Sequence, residues 1–466
     1  MTTIDPEAPS AAQTARDVAE GRSSALQACD AAIARIERLD AALNAVVVRD
    51  FERAREQARE RDRQRAQGAR LPLLGVPMTV KESFNVAGLP TTWGLPVFKG
   101  LIAASDAVTV QRLKAAGAVI LGKTNVALLL ADWQADNPLF GRTANPHDTA
   151  RTPGGSSGGG AAAVASGMVP LELGSDIGGS IRVPAAFCGL FGHKPTWELI
   201  PQRGHALPGR EGAPTDLAAV GPLARSVEDL LLAFHALAGP DEADAVGLRL
   251  ALPRPRPQHL RECRLLVLDE HPACPTSRLM QATMANVAEA AARAGAQVAH
   301  RADLLPDLAA SFAAYSVMLT TVTTQGTPGA RPIDAHSWLA LKHQQARVQR
   351  QWQSLFRDFD AVLTPAFGRE AYPHIASPNP EHALMDIDGQ PTVYGLQVGW
   401  PGVATFPGLP ATAAPVGRSP EGLPLGLQVI GAHLHDLTTI AIAGWLAEVA
   451  SKKHPRIAAR IDHQLR

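Results

Sequence analysis

Lysine is scarce in this chain: eight of 466 residues, against 36 arginines. Tyrosine is scarcer still, at three, and all aromatic residues together make 5%. Four cysteines (Cys29, Cys188, Cys263, Cys274) are too few for a disulfide scaffold, and no CxxC pair points to zinc. Neither a metal site nor a cofactor is expected. There is no excess charge of either sign: 44 basic and 44 acidic residues give a formal net charge of zero. That balance excludes a partner held mainly by bulk charge, whether nucleic acid or an anionic membrane. No stretch approaches the roughly 18 apolar residues that span a bilayer. The start, Met1 to Pro9, carries acids and prolines where a secretory signal has a basic start and an apolar run. These absences point to a cytoplasmic protein with reduced thiols.

What is present fits a folded enzyme. Apolar residues make 46% and charged residues 19%, enough to bury a core. Glycine (40) and proline (37) indicate many loops. Residues 24–44 carry Leu26, Ala28, Ile33, Ile36 and Leu39 at helical spacing, and 51–68 read as a charged, solvated helix. Leu74–Lys81 holds a short apolar run fit for a strand. Helix is expected over Val108–Ala116, Ser277–Arg293, Ser337–Phe356 and Leu437–Val449. Strands are expected at Ala118–Leu121, Leu265–Leu268, Gln297–Ala299, Ala361–Leu363 and Leu425–Ile430. Alternation of strand and helix indicates an α/β fold. The Arg/Pro-rich Leu248–His259 is the best linker, joining two parts of one fold.

Three patterns carry possible chemistry. Gly117–Thr124 (GAVILGKT) satisfies the letter of the phosphate loop, with a Walker-B-like Leu265–Glu270 downstream. An NTP-binding protein is therefore one reading. The physics opposes it: a phosphate loop needs exposed turn residues after a strand, and Ala-Val-Ile-Leu is itself a buried strand. Gly154–Gly158 (GGSSG) fits the nucleophile elbow GxSxG. An elbow needs an apolar strand just before it, and Asn145–Pro153 reads as loop.

The third pattern is longer. It runs from Arg151-Thr152-Pro-Gly-Gly-Ser156-Ser157 through Leu173-Gly-Ser-Asp176-Ile177-Gly178-Gly179-Ser180-Ile-Arg182 to Lys194-Pro195-Thr196. With Gly75-Val-Pro-Met-Thr-Val-Lys81-Glu82, Gly88–Gly94, Gly117–Asn125, Asp216 with Gly221-Pro222, and Gly422–Gly431, it resembles the amidase signature family over about residues 15–450. The resemblance implies an α/β fold with a large mixed, twisted central sheet covered by helices on both faces. It treats 1–466 as one domain: N-terminal helices about 10–70, the signature core about 71–240, and a C-terminal part about 260–450.

Amide hydrolysis needs a nucleophile, a base, an acid for the leaving amine and donors for the oxyanion. The resemblance implies a Ser–Ser–Lys triad: Ser180 as nucleophile, Ser156 on a cis peptide as relay, and Lys81 as base. It also implies an oxyanion hole from the N–H groups of Ile177, Gly178, Gly179 and Ser180. For this role Lys81 must be neutral part of the time, and burial beside Val76, Met78 and Val80 would lower its proton affinity. The ordinary alternative is a salt bridge between Lys81 and Glu82. Ser157 is expected to support the loop, Asp176 and Arg182 to pair and brace the turn, and Thr152 to reach the site edge. Residues 181–187 are expected to open a helix whose N-terminus adds positive potential.

Substrate identity is less legible. Leu129, Trp133 and Phe140 within 128–140, and Tyr315, Met318, Trp338, Phe367, Tyr372 and Trp400 within 310–410, are apolar pocket candidates. Thr405–Ala411 departs from a family motif that carries Asn, which suggests a drier wall. His193 stands where the family usually has an apolar residue, without a role. The expected activity is cleavage of the C–N bond of small apolar amides, with anilides, esters and carbamates as further substrates. The expected partner is a small amide substrate, and the resemblance implies a homodimer. The competing reading within the family is an amidotransferase A-type subunit that works with partner subunits.

Overall fold

Short apolar runs and amphipathic segments alternate along the chain and assemble into one mixed sheet. The computed structural model describes residues 3–327, 329–376 and 382–451, and all structural statements refer to these. Lys452 and Lys453 lie outside them. Eleven strands form the sheet: β1 Val46–Arg49, β2 Pro77–Lys81, β3 Val119–Thr124, β4 Leu171–Asp176, β5 Phe191–Lys194, β6 Ala219–Ala224, β7 Arg264–Val267, β8 Gln297–Ala299, β9 Ala361–Pro365, β10 Ala411–Arg418 and β11 Pro424–Ile430. Their spatial order is β1-β3-β2-β4-β6-β5-β10-β11-β9-β7-β8. β2 runs parallel to both β3 and β4, and β7 parallel to both β8 and β9. The remaining pairs are antiparallel. Strands on both sides of the Leu248–His259 loop share this sheet.

Twelve helices surround it: α1 Ala11–Ala19, α2 Ala25–Leu39, α3 Phe51–Ala66, α4 Val108–Ala115, α5 Gly158–Ala165, α6 Arg182–Cys188, α7 Val227–Leu237, α8 Arg278–Arg293, α9 Leu308–Thr324, α10 Ala335–Leu355, α11 Gly399–Thr405 and α12 Asp436–Ser451. Strand alternation sends side chains to opposite faces. In β3, Ile120 joins Val110 of α4, Phe234 of α7 and Leu446 of α12. Val119 and Leu121 instead join Ile33 and Ile36 of α2 and Ala162 of α5. Helices α9, α10 and α11 form a further core with Tyr315, Trp352 and Trp400. No helix is long and apolar enough to cross a membrane.

The expected elements are found with shifted ends. The first amphipathic helix stops at Leu39 and passes into a 3₁₀ turn, Asp40–Ala42; a capping box of Ser24 and Gln27 sets its start. β3 continues past Leu121 to Thr124. The glycine-rich stretch 153–180 hides two elements, α5 (GGGAAAVA) and β4. Glycine costs a helix about 1 kcal/mol per residue against alanine. Here it is required: a Cβ on Gly159 would lie 2.4 Å from the Asn125 nitrogen, so only glycine lets α5 pack on the sheet. β2 and β4 both end on the same edge, and the loops that follow them meet there, where open α/β sheets place their ligands.

Candidate active site

Lys81 is the last residue of β2, a strand buried along its whole length. Its Nζ lies 2.7 Å from Ser156 Oγ, 2.9 Å from Ser175 Oγ and 3.4 Å from the Ser175 carbonyl. The alternative pairing with Glu82 is not formed. Glu82 turns away to accept the N–H groups of Thr92 (2.7 Å) and Trp93 (2.9 Å), and faces Lys123 at 3.9 Å. Burial pushes the Lys81 ammonium from 10.5 down to about 7, against the raising pull of Asp176 and Glu172. Charging it in place therefore costs on the order of 5 kcal/mol more than in water. A lysine in this state is uncharged part of the time at neutral pH.

The serine loop follows Thr152. The Gly155–Ser156 peptide is cis, as the family resemblance implied. Gly154 has φ +86°, and a Cβ there would lie 2.6 Å from Pro184 Cα. The Ser157 N–H donates to the Ser180 carbonyl (3.2 Å) and its hydroxyl to the Ser175 carbonyl (3.3 Å). Thr152 sits behind the loop rather than at the site edge. It accepts from the Gly154 N–H (3.0 Å) and donates to the Trp133 carbonyl (3.1 Å), because the chain enters the loop beneath Trp133.

The turn after β4 is held by a buried ion pair. Arg182 donates to both oxygens of Asp176, at 3.0 and 2.7 Å. Asp176 also accepts the N–H groups of Gly179 (2.9 Å), Ile181 (3.0 Å) and Arg182 (3.3 Å). Burial alone would raise this carboxyl; the Arg182 guanidinium outweighs it and holds the group at about 2. Arg182 further donates to the Pro401 carbonyl (2.9 Å), Gln428 Oε1 (2.6 Å) and Thr405 Oγ1 (2.8 Å). Two expectations change. Gly179's N–H is already taken, so among the expected donors Ile177, Gly178 and Ser180 keep N–H groups without an acceptor among the described residues. The N-terminus of α6 is capped by Asp176, so its positive end is not open to a ligand. From behind, Tyr315 Oη donates to the Ile177 carbonyl (2.7 Å) and Trp133 Nε1 to the Gly178 carbonyl (2.8 Å).

A cavity of about 650 Å³ opens onto this turn, lined by Ser156, Ser175, Asp176, Ile177 and Ser180. Ser180 Oγ makes no hydrogen bond with any described residue. Trp93, Leu129, Leu130, Leu207, Val322 and Trp338 supply the apolar wall. Of the nine expected pocket residues only Leu129 and Trp338 belong to it. Tyr315, Met318 and Trp400 are core under α9 and α11; Trp133, Phe367 and Tyr372 form another core cluster, and Phe140 is not at the wall. Ser175, Trp93 and the 205–218 segment escaped the sequence reading. Ser175, Trp93 and Asp216 had a local signal, since each stands in or beside a quoted motif. A neighbouring cavity of about 840 Å³ shares His205 and Thr215 but holds neither Ser156 nor Ser180.

Other expectations resolve nearby. Thr405 serves Arg182 and Phe406 is core, so the Thr405–Ala411 departure makes no drier wall. His193 lies between Thr412 Oγ1 (2.9 Å) and Asp436 Oδ1 (3.1 Å), a buried bridge between β10 and α12. Gly117–Thr124 runs into β3, where Lys123 bonds Thr91 Oγ1 (3.0 Å) instead of forming a phosphate cradle.

Fold and comparisons together define an amide hydrolase. The Amidase family model matches residues 27–327 and 316–440, and the chain belongs to that family. It is 34% identical over 470 residues to AmiB2 of Mycobacterium tuberculosis, an amidase by name, covering 96% of this chain and 97% of that one. It is 34% identical over 453 residues to the 1-carboxybiuret hydrolase subunit AtzE of Pseudomonas sp. (strain ADP), covering 89% and 93%. Among solved structures, a bacterial aryl acylamidase of the amidase signature family superposes with a TM-score of 0.80 at 25% identity, covering 97% and 99%.

The ion pair yields a stability prediction. Arg182→Met leaves Asp176 buried and unpaired and should cost about 3–5 kcal/mol. Urea unfolding checks this, and a loss below about 1 kcal/mol would contradict the bracing role.

Proposed function

We propose that this chain hydrolyses the C–N bond of small amides with an apolar acyl or amine group, through an acyl-enzyme on Ser180. The observation that carries the reading is the placement of buried Lys81 Nζ, 2.7 Å from Ser156 Oγ, at a cavity that Ser180 also lines. Neutral Lys81 accepts a proton from Ser156, which accepts one from Ser180 as its Oγ attacks the carbonyl carbon. The oxyanion meets the free N–H groups of Ile177, Gly178 and Ser180. Collapse of the intermediate breaks the C–N bond, and the relay returns its proton to the leaving nitrogen. Water then cleaves the Ser180 ester by the same relay. Ser175 Oγ, 2.9 Å from Nζ, keeps the amine aimed. The apolar wall favours hydrocarbon groups; anilides, esters and carbamates use the same steps.

An amidotransferase subunit would share these residues. Hydrolysis of amides by this chain alone, without ATP or tRNA, separates the two roles. A panel of aliphatic amides, anilides, carbamates and amino-acid amides tests the substrate class. In that panel Ser180→Ala should lose turnover by about a thousandfold or more. Its melting temperature should stay unchanged, because Ser180 Oγ leaves no partner orphaned. Retained activity would remove Ser180 as nucleophile.

The Lys81 value gives a pH prediction with a definite sign. Protonation below about pH 7 removes the acceptor, so kcat/KM should fall tenfold per unit on the acid side of that value and level off above it. A solvated lysine would place the limb near ~10.4. A profile flat from pH 6 to 8 would exclude the base role.

A further inference from the structure

Glu172 is a carboxyl that the mechanism does not use. It lies inside β4, 1% exposed, with no arginine or lysine in salt-bridge contact among the described residues. Thr79 Oγ1 donates to one of its oxygens at 2.5 Å and Thr124 Oγ1 to the other at 2.5 Å. Both threonines flank Lys81. Thr79 stands two residues before it on β2, on the same face, and directly opposite Glu172 across the β2–β4 pairing. Thr124 is the residue paired with Lys81 across β2–β3. The helix above makes room for the group: a Cβ on Gly160 of α5 would lie 2.4 Å from Glu172 Cγ.

We propose that Glu172 is a positioning residue for the proton-accepting lysine: its carboxyl, gripped by Thr79 and Thr124, sets the charge state of Lys81. The inference rests on the reading of Lys81 given above. Two hydroxyl donors satisfy both oxygens of the ionised carboxylate, whereas the acid form would turn its own O–H against one of them. Burial works the other way and raises Glu172 to about 8. Its negative charge in turn raises Lys81, which burial has lowered to about 7. The two groups therefore change charge in the same pH range, near neutrality.

The other charged and titratable groups near the pair are already committed. Asp176 is locked to Arg182. His205, pushed to about 3 by burial first and by Lys81 second, stays neutral. Lys123 faces Glu82, and Lys194 donates to the Pro195 carbonyl (2.8 Å). Glu172, raised by burial and without a salt-bridge partner among the described residues, is thus a carboxyl near Lys81 whose charge can change near neutrality.

The test uses the full chain with lysine labelled at ¹³Cε. Its eight lysines keep the spectrum sparse, and Lys81→Ala assigns the Lys81 signal. Glu172→Gln should lower the Lys81 midpoint by a few tenths of a pH unit, because Glu172 is only partly charged where Lys81 titrates, and the acid limb of kcat/KM should follow it. Thr79→Val, which removes one donor and favours the uncharged acid, should move both in the same direction by less; it serves if Glu172→Gln does not fold. A Lys81 midpoint unmoved in the folded variants would overturn the proposal. A midpoint that moves while the acid limb stays would uphold the coupling and instead overturn Lys81 as the proton acceptor. A purely structural role would lower activity across all pH without moving either.

Discussion

The buried pair of Asp176 and Arg182 is the constraint on which the site depends. Asp176 ends β4 and gathers the N–H groups of Gly179, Ile181 and Arg182, so the turn 177–180 has one shape. Arg182 carries that order across the fold to Pro401, Thr405 and Gln428. Such a pair adds little stability compared with a well-packed apolar alternative, yet is expensive to break. Its value here is geometric. It consumes Gly179's N–H and the start of α6, and leaves the N–H groups of Ile177, Gly178 and Ser180 without an acceptor among the described residues. Gly179 itself, at φ +96° and with a Cβ position 2.6 Å from Pro401 Cγ, admits no other residue without strain.

One physical cause, burial, produces opposite outcomes at neighbouring groups. It lowers Lys81 and raises Glu172, while at Asp176 the adjacent guanidinium reverses it. Perturbation alone does not mark the site. Lys194 is also pushed by burial to about 7 and Lys123 to about 8. Lys194 ends on a backbone carbonyl and Lys123 beside Glu82. Lys81 differs by its company: two serine hydroxyls, both at a cavity shared with a third serine. Geometry sets Lys81 apart from two other lysines with similar shifts.

The site's inner part was legible in the sequence because it is contiguous. Lys81, Ser156, Ser157, Asp176, Arg182 and Ser180 fall in short motifs whose spacing a reader can match, and the structure brings them to one edge of the sheet. The strands and helices with strong periodicity, such as α8 and β11, were legible too. Glycine-rich α5 and all-buried β4 were not, since neither shows an apolar–polar alternation. The pocket wall was the least legible. Scarcity of aromatics made several of them pocket candidates, but Trp133 and Tyr315 use their polar tips to brace the turn from behind, and Trp400 bonds Thr276 in the core. The wall instead comes from Trp93, Leu207 and Val322, which only tertiary folding brings together.

In the proposed mechanism Ser180 is the nucleophile, and Lys81, through Ser156, makes it one. Reaction with a fluorophosphonate followed by peptide mass mapping tests this directly. A single phosphonyl adduct is expected, on the peptide bearing Ser180, formed much more slowly in Lys81→Ala. An adduct on Ser156 or Ser175 instead, or equal labelling of Ser180 without Lys81, would contradict it.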